Sequence, residues 1–159
     1  MEFNFYSTHS IMVARGGSAN LASKIQEQGG KSVLIVTDPG VLAAGLLDRV
    51  LPQFKELKLA VQIFSDVEAD PPIPVIERAI EVAQECRADC IVGFGGGSSM
   101  DVAKLVALLS SGKEKLADIY GIGMAKGPRL PLILVPTTAG TGSEVTQSSV
   151  VTVSENEKK

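Results

Sequence analysis

Three stretches of the chain combine side chains and backbone suited to holding a ligand: residues 93–101, residues 136–144 and Asp38. The first reads Gly93-Phe94-Gly95-Gly96-Gly97-Ser98-Ser99-Met100-Asp101. It lies between a predicted strand and a predicted helix. Glycine lets the backbone approach a ligand closely. The start of the helix adds unpaired N–H groups and a partial positive charge at the same place. Together these suit a phosphate or a pyrophosphate. A tight turn with a capping serine uses the same residue types, but three consecutive glycines exceed that need. The spacing is not the standard dinucleotide fingerprint. Gly93-x-Gly95-x-x-Ser98 lacks its third glycine, follows the fourth or fifth strand rather than the first, and has no acidic strand end ~20 residues later. Neither glycine cluster carries the lysine of a P-loop, which disfavours ATP hydrolysis of that type.

The second stretch, Pro136-Thr137-Thr138-Ala139-Gly140-Thr141-Gly142-Ser143-Glu144, sets four hydroxyls and two glycines directly after a buried strand. Hydroxyls and loop N–H groups can hold phosphate oxygens, a ribose or an amide. A solvated loop is equally rich in such turn formers, but a second glycine-rich strand end beside the first favours ligand contact. Asp38 follows a buried strand and could accept both ribose hydroxyls of an adenosine, which favours NAD over its phosphorylated form. Asp38-Pro39-Gly40 is also a ready turn, and its spacing alone leaves both readings open. Asp101 and Lys104 stand one helical turn apart. Asp101 sits favourably near a helix start and could lie beside a ligand, whereas Lys104 reads as a solvated lysine. His9 reads as a surface or strand-edge histidine, and Glu144 as a loop carboxylate. Cys86 and Cys90 do not form C-x-x-C and read as small buried hydrophobes in a reducing compartment.

Composition bounds the rest. At about 150 residues per domain, 159 residues make one domain. Hydrophobic residues at 45% and charged residues at 21% are ordinary for a folded domain that can bury a core without staples. Aromatics are only 4% and tryptophan is absent, so the core is aliphatic, as in a buried parallel sheet. A net charge of −3 with no basic stripe argues against nucleic acid as a partner. The longest apolar runs, at 41–47 and 105–109, fall far short of the ~20 residues of a membrane span. No signal peptide is evident at the start, so the cytoplasm is the expected location. A single histidine and two cysteines make the chain a poor candidate for building a transition-metal site.

These stretches need elements to position them. Residues 11–14 read as a short strand. Ser18 reads as the cap of a helix over 19–28, with Leu21 and Ile25 inward and Gly29-Gly30 as its stop. A buried strand follows at 32–37, then a helix over 41–57 with a kink or restart at Pro52. Residues 59–64 alternate as a strand. Pro71, Pro72 and Pro74 open a helix with Ile76, Ile80 and Ala83 inward. A strand from Cys90 leads into the glycines. Ser98 or Ser99 then caps a helix through about Ser110, with Val102, Leu105, Val106 and Leu109 inward. After a polar connector at 111–129, residues 130–135 form another buried strand. Alternating strands and helices predict an α/β fold: a Rossmann-like parallel sheet with helices on both faces. Ligands then sit beyond the carboxyl ends of the strands, where the three stretches fall.

Val36-Thr37-Asp38, Gly95-Gly96-Gly97-Ser98-x-x-Asp101-x-x-Lys104 and the 136–144 stretch, in that order, resemble the iron-containing (metal-dependent, group III) alcohol dehydrogenases, within the dehydroquinate synthase-like superfamily. The resemblance runs over essentially the whole chain. It implies an N-terminal domain that binds NAD, or NADP, and a helical C-terminal domain that holds a divalent metal, iron or zinc, and most of the substrate site. It assigns Asp38 to the adenosine ribose. Gly96, Gly97 and Ser98 fall to the pyrophosphate, and Asp101 to the nicotinamide end. Thr137, Thr138, Thr141 and Ser143 make the second nucleotide loop. Lys159 falls where some members place a basic residue near the cofactor. Members of the family are much longer, and their metal ligands, an aspartate and histidines, lie in the part that would follow Lys159. The expectation is therefore a nucleotide-binding domain over 1–159, a fragment lacking the helical metal domain. Residues 150–153 would be a strand, and 154–159 the turn of a hairpin whose return strand is missing. No catalytic residue and no metal ligand is expected in this chain. The parent protein would oxidise alcohols or reduce aldehydes and ketones as a homo-oligomer, a dimer, and the isolated chain would be inactive. Two alternatives stay open: a non-catalytic NAD-binding module, and the first half of a glycerol dehydrogenase or dehydroquinate synthase-like enzyme.

Overall fold

The computed structural model describes residues 8–112, 114–121 and 123–153. Its centre is a four-stranded parallel sheet of β1 (Ser32–Val36), β2 (Ala60–Phe64), β3 (Cys90–Gly95) and β4 (Leu132–Pro136), in the order β2-β1-β3-β4. Among the described residues five α-helices accompany them: α1 (Leu21–Glu27) precedes β1, and α2 (Pro39–Ala43), α3 (Leu51–Glu56), α4 (Ile73–Glu85) and α5 (Gly97–Leu109) lie in the connections between strands.

Side chains alternate across the two faces of the sheet. Val33, Ile35, Val92 and Phe94 pack with Leu21 and Ile25 of α1 and Phe54 of α3. Leu34, Val36 and Ile91 pack with Ile76 and Ala83 of α4 and Val102 and Val106 of α5. Both central strands are thereby buried on both faces, which is why they read as continuous apolar runs. The α5 helix rides very close to β3. A Cβ on Gly93 would stand 2.8 Å from the Ala103 Cβ and 3.1 Å from the Met100 Cα. No helix among the described residues is long and apolar enough to cross a membrane.

Several boundaries depart from expectation. Residues 11–14 form no strand. Among the described residues nothing completes a ladder with them, and Val13 is 91% exposed. The glycine-rich stretch therefore ends the third strand among the described residues. Ser18 lies inside a 3-10 turn, Gly17–Asn20, and caps nothing. The α1 helix stops as expected: Gly30 N–H donates to the Ile25 carbonyl at 3.0 Å, across Gly29 at φ +83°. The helix expected over 41–57 is two helices. The break falls at turns around Gly45, and Pro52 sits in the first turn of α3, where its missing N–H costs nothing. Residues 150–153 make a single parallel bridge, Thr152 to Pro72, not a hairpin arm. The expected turn at 154–159 lies outside the described residues.

Candidate functional site

The strand order decides where a ligand can enter. The chain leaves β1 toward β2 on one side, then crosses to β3 on the other. The carboxyl ends of β1 and β3 therefore form a topological switch point, where the loops diverge and leave a crevice. Asp38 ends one of these strands and Gly95-Gly96 the other. Their ends are tied together beneath the crevice: the buried Thr37 hydroxyl donates to the Phe94 carbonyl at 2.7 Å.

Asp38 is held at both carboxylate oxygens. Oδ1 accepts the Val41 N–H at 3.0 Å and so caps α2. Oδ2 accepts the Ser99 hydroxyl at 3.1 Å. Each carboxylate oxygen has a second lone pair, so the group can still accept from a ligand. Neither serine caps α5. Gly96 occupies the N-cap position, and no side chain bonds to the helix start. The first intrahelical acceptor, the Gly96 carbonyl, goes to Met100 N–H at 3.1 Å. That leaves the N–H groups of Gly97, Ser98 and Ser99 without intrahelical acceptors, at the positive end of a 13-residue helix.

The loop after β4 folds against this helix start. Thr137 N–H donates to the Gly95 carbonyl at 2.8 Å. A Cβ on Gly97 would stand 3.2 Å from Thr141 Cγ2 and 3.3 Å from Ser143 Oγ. The glycine at 97 thus lets the two glycine-rich strand ends touch. Between them opens a cleft of about 400 Å³, lined by Asp38, Pro39, residues 67–69, residues 96–99 and Thr138. Five of the expected residues meet there: Asp38, Gly96, Gly97, Ser98 and Thr138. Thr141 and Ser143 stand behind Gly97. Thr137 instead lines a second cleft, of about 500 Å³, with Ser18, Arg49 and Phe94 on the α1–α3 side of the sheet. Lys159 lies outside the described residues.

Asp101 lines neither cleft. Its Oδ1 accepts the Lys104 ammonium at 2.9 Å and its Oδ2 the Val150 N–H at 3.0 Å. Lys104 also donates to the Ser148 carbonyl at 2.8 Å and to the Thr146 hydroxyl at 3.4 Å. Lys104 is thus not a solvated helix lysine: this nearly buried pair latches residues 146–150 onto α5. Beyond the latch, Thr152 bonds the carbonyls of Asp70 and Pro71, in the loop that lines the first cleft. Among the described residues, Glu144 Oε2 is a buried oxygen without a partner.

Two polar side chains that line the first cleft, Glu68 and Ser99, are not marked as site residues by the sequence. Glu68 belongs to the loop after β2, a strand end with no glycines to mark it. Ser99 looked like a cap, and only the fold turns it toward Asp38. Cys90 is buried as expected, whereas Cys86 is half-buried. Burial, with Asp89 adjoining, pushes the Cys90 thiol up to about 12, and burial likewise raises Cys86. Both are therefore poor nucleophiles. No group of three or more His, Cys, Asp or Glu among the described residues could hold a metal ion. The side chains of the described residues do not fit a catalytic metal.

The family model for iron-containing alcohol dehydrogenases matches residues 8–159. The chain belongs to the iron-containing alcohol dehydrogenase family. It is 36% identical over 148 residues to alcohol dehydrogenase 4 of Schizosaccharomyces pombe, covering 93% of this chain and 35% of that protein. Among solved structures, it superposes on 1,3-propanediol oxidoreductase with a TM-score of 0.91 at 31% identity, covering 98% of this chain and 41% of the other. It also matches sulfoacetaldehyde reductase from Bifidobacterium kashiwanohense in complex with NAD+, with a TM-score of 0.82 at 29% identity, covering 96% of this chain and 40% of that one. The chain thus spans about two-fifths of these iron-containing alcohol dehydrogenase relatives. Its parallel sheet superposes on that part of the 1,3-propanediol oxidoreductase structure.

Proposed function

We propose that the cleft at the β1–β3 switch point binds NAD(H), and that this chain is the nucleotide-binding part of an alcohol dehydrogenase. The observation that carries the reading is the uncapped start of α5, which opens on the cleft between Asp38 and Thr138. A helix start without a capping side chain keeps its N–H groups for an anion. Among the described residues no lysine or arginine lines this cleft, so backbone dipoles supply the positive potential. The N–H groups of Gly97 and Ser98 take the pyrophosphate. Asp38 accepts the ribose hydroxyls and repels a 2′-phosphate, so NAD is favoured over NADP. Thr138 closes the cleft beside Gly96, and Thr141 and Ser143 set the position of the loop behind Gly97. Thr137 faces the other cleft and anchors the loop through its N–H. Asp101 and Lys104 serve the site through the segment that they latch. The relative solved with NAD+ supports the choice of nucleotide.

When bound, the nicotinamide supplies the hydride acceptor or donor for an alcohol or its aldehyde or ketone. This chain's residues bind and orient it. The described residues do not fit a metal, so no step through a metal is assigned to them. We propose that this chain alone does not turn over alcohol, and that the parent protein works in the cytoplasm as a homo-oligomer, a dimer, with a metal held by other residues. Calorimetric titration with NAD and NADP tests the binding reading. NAD binds more tightly, and Asp38→Gly removes the preference. Absence of binding by either nucleotide, or a preference unchanged by Asp38→Gly, refutes it.

A further inference from the structure

We propose that Ser99 is a positioning residue that sets the Asp38 carboxylate for choosing between NAD and NADP. This deepens the reading above and rests on Asp38 as the ribose acceptor. Ser99 is buried, at 1% exposure, in the first turn of α5. An ionised carboxylate only accepts, so the 3.1 Å contact with Asp38 Oδ2 fixes the hydroxyl as the donor. The Val41 N–H holds the other oxygen at 3.0 Å. The carboxylate is therefore clamped from two directions, by residues from the ends of two different strands.

Gly95 makes this clamp possible. A Cβ there would stand 2.6 Å from Ser99 Oγ and 2.9 Å from Asp38 Oδ2. The pair lies against the bare Cα of a glycine, in space that any side chain would fill. A free carboxylate turns about its last torsion. Clamped, it keeps one plane and presents its remaining lone pairs to the cleft. A ribose with two free hydroxyls profits from that fixed plane. A ribose carrying a 2′-phosphate meets a charge that cannot swing away. Ser99 thus joins the helix start that takes the pyrophosphate to the acid that reads the ribose.

The test is calorimetry of the whole chain with NAD and with NADP, across Ser99→Ala, Ser99→Thr, Asp38→Gly and the Ser99→Ala/Asp38→Gly double variant. Ser99 acts on the ribose only through Asp38, so part of the strength of one hydrogen bond is felt at the nucleotide, and Ser99→Ala weakens NAD binding about 3- to 10-fold. NADP binding stays the same or tightens, so the preference narrows. Ser99→Thr keeps the hydroxyl and restores it. In the Asp38→Gly background, Ser99→Ala has no further effect. If Ser99→Ala weakens both nucleotides equally, or adds its full effect without Asp38, the inference is wrong. If Asp38→Gly shifts the preference and Ser99→Ala does not, the inference falls while the NAD reading stands. If Asp38→Gly shifts nothing, both fall together.

Discussion

The Asp101–Lys104 latch offers a sharp measurement. The two side chains are 8% and 11% exposed and meet at 2.9 Å. Asp101→Ala removes three things at once: the ion pair, the acceptor for Val150 N–H, and the compensation for a nearly buried ammonium. Hydrogen bonds to charged groups contribute about 1.5–3 kcal/mol each. Stripping one partner from a buried pair costs about 3–5 kcal/mol. Lys104 keeps the Ser148 carbonyl and the Thr146 hydroxyl. The loss therefore falls at the low end, about 3 kcal/mol. Asp101→Asn keeps one carbonyl oxygen and the shape, and costs about 1–2 kcal/mol. Urea unfolding gives the global figure, and amide hydrogen exchange at Val150 gives the local one. The double variant Asp101→Asn/Lys104→Met costs less than the two single changes together, because neither is left facing an unpaired charge. If Asp101→Ala stays within about 0.5 kcal/mol of the parent and Val150 exchanges no faster, the latch carries no load and the reasoning is refuted.

Other substitutions probe the packing. Gly93→Ala drives a methyl group into Ala103 and the Met100 backbone, with contacts of 2.8 and 3.1 Å, and destabilises the fold by about 1–3 kcal/mol in urea unfolding. Gly97→Ala meets Thr141 at 3.2 Å and parts the two glycine-rich ends. Nucleotide affinity falls there more than stability does, and calorimetry beside thermal unfolding separates the two. The Cys90 thiol is raised by burial, and by Asp89, from 9.0 to about 12, so the folded state holds its proton longer than the unfolded state does. The contribution of this group to stability is therefore intact below pH 9.0 and declines as pH rises toward about 12, by at most about 1.4 kcal/mol per pH unit. Cys90→Ala flattens that slope in an alkaline unfolding series. A slope that survives the substitution excludes Cys90 as its source.

Elements with strong periodicity were legible from residues alone. Ile76 and Ala83 turned inward on α4 as their spacing required. The buried runs of β1 and β3 could be strands covered on both faces and little else. The strand-end rule then located the cleft, because Asp38 and Gly96 had to emerge at the same edge. Contacts made across long stretches of sequence were not legible. Nothing local tells that Lys104 meets Ser148, so a latch looked like a solvated lysine. Ser98 and Ser99 both suited a cap, but glycine took that position and Ser99 reached a carboxylate 61 residues away. Residues 11–14 had the apolar character of a strand, but pairing requires a neighbour that composition cannot supply.

The strand order also bears on how the chain comes to fold. β1 is central, and its partner on one side arrives late: Thr37 and Phe94, joined at the ends of β1 and β3, stand 57 residues apart. During synthesis β2 emerges long before β3. Until then one edge of a strand that is apolar from Val33 to Val36 has no ladder to join, and such an edge invites pairing with other chains. Non-local parallel pairing is slow because loop closure precedes any reward from contacts. The interval between emergence of β2 and emergence of β3 is therefore when a nascent chain is most exposed to aggregation, and when a chaperone would matter most.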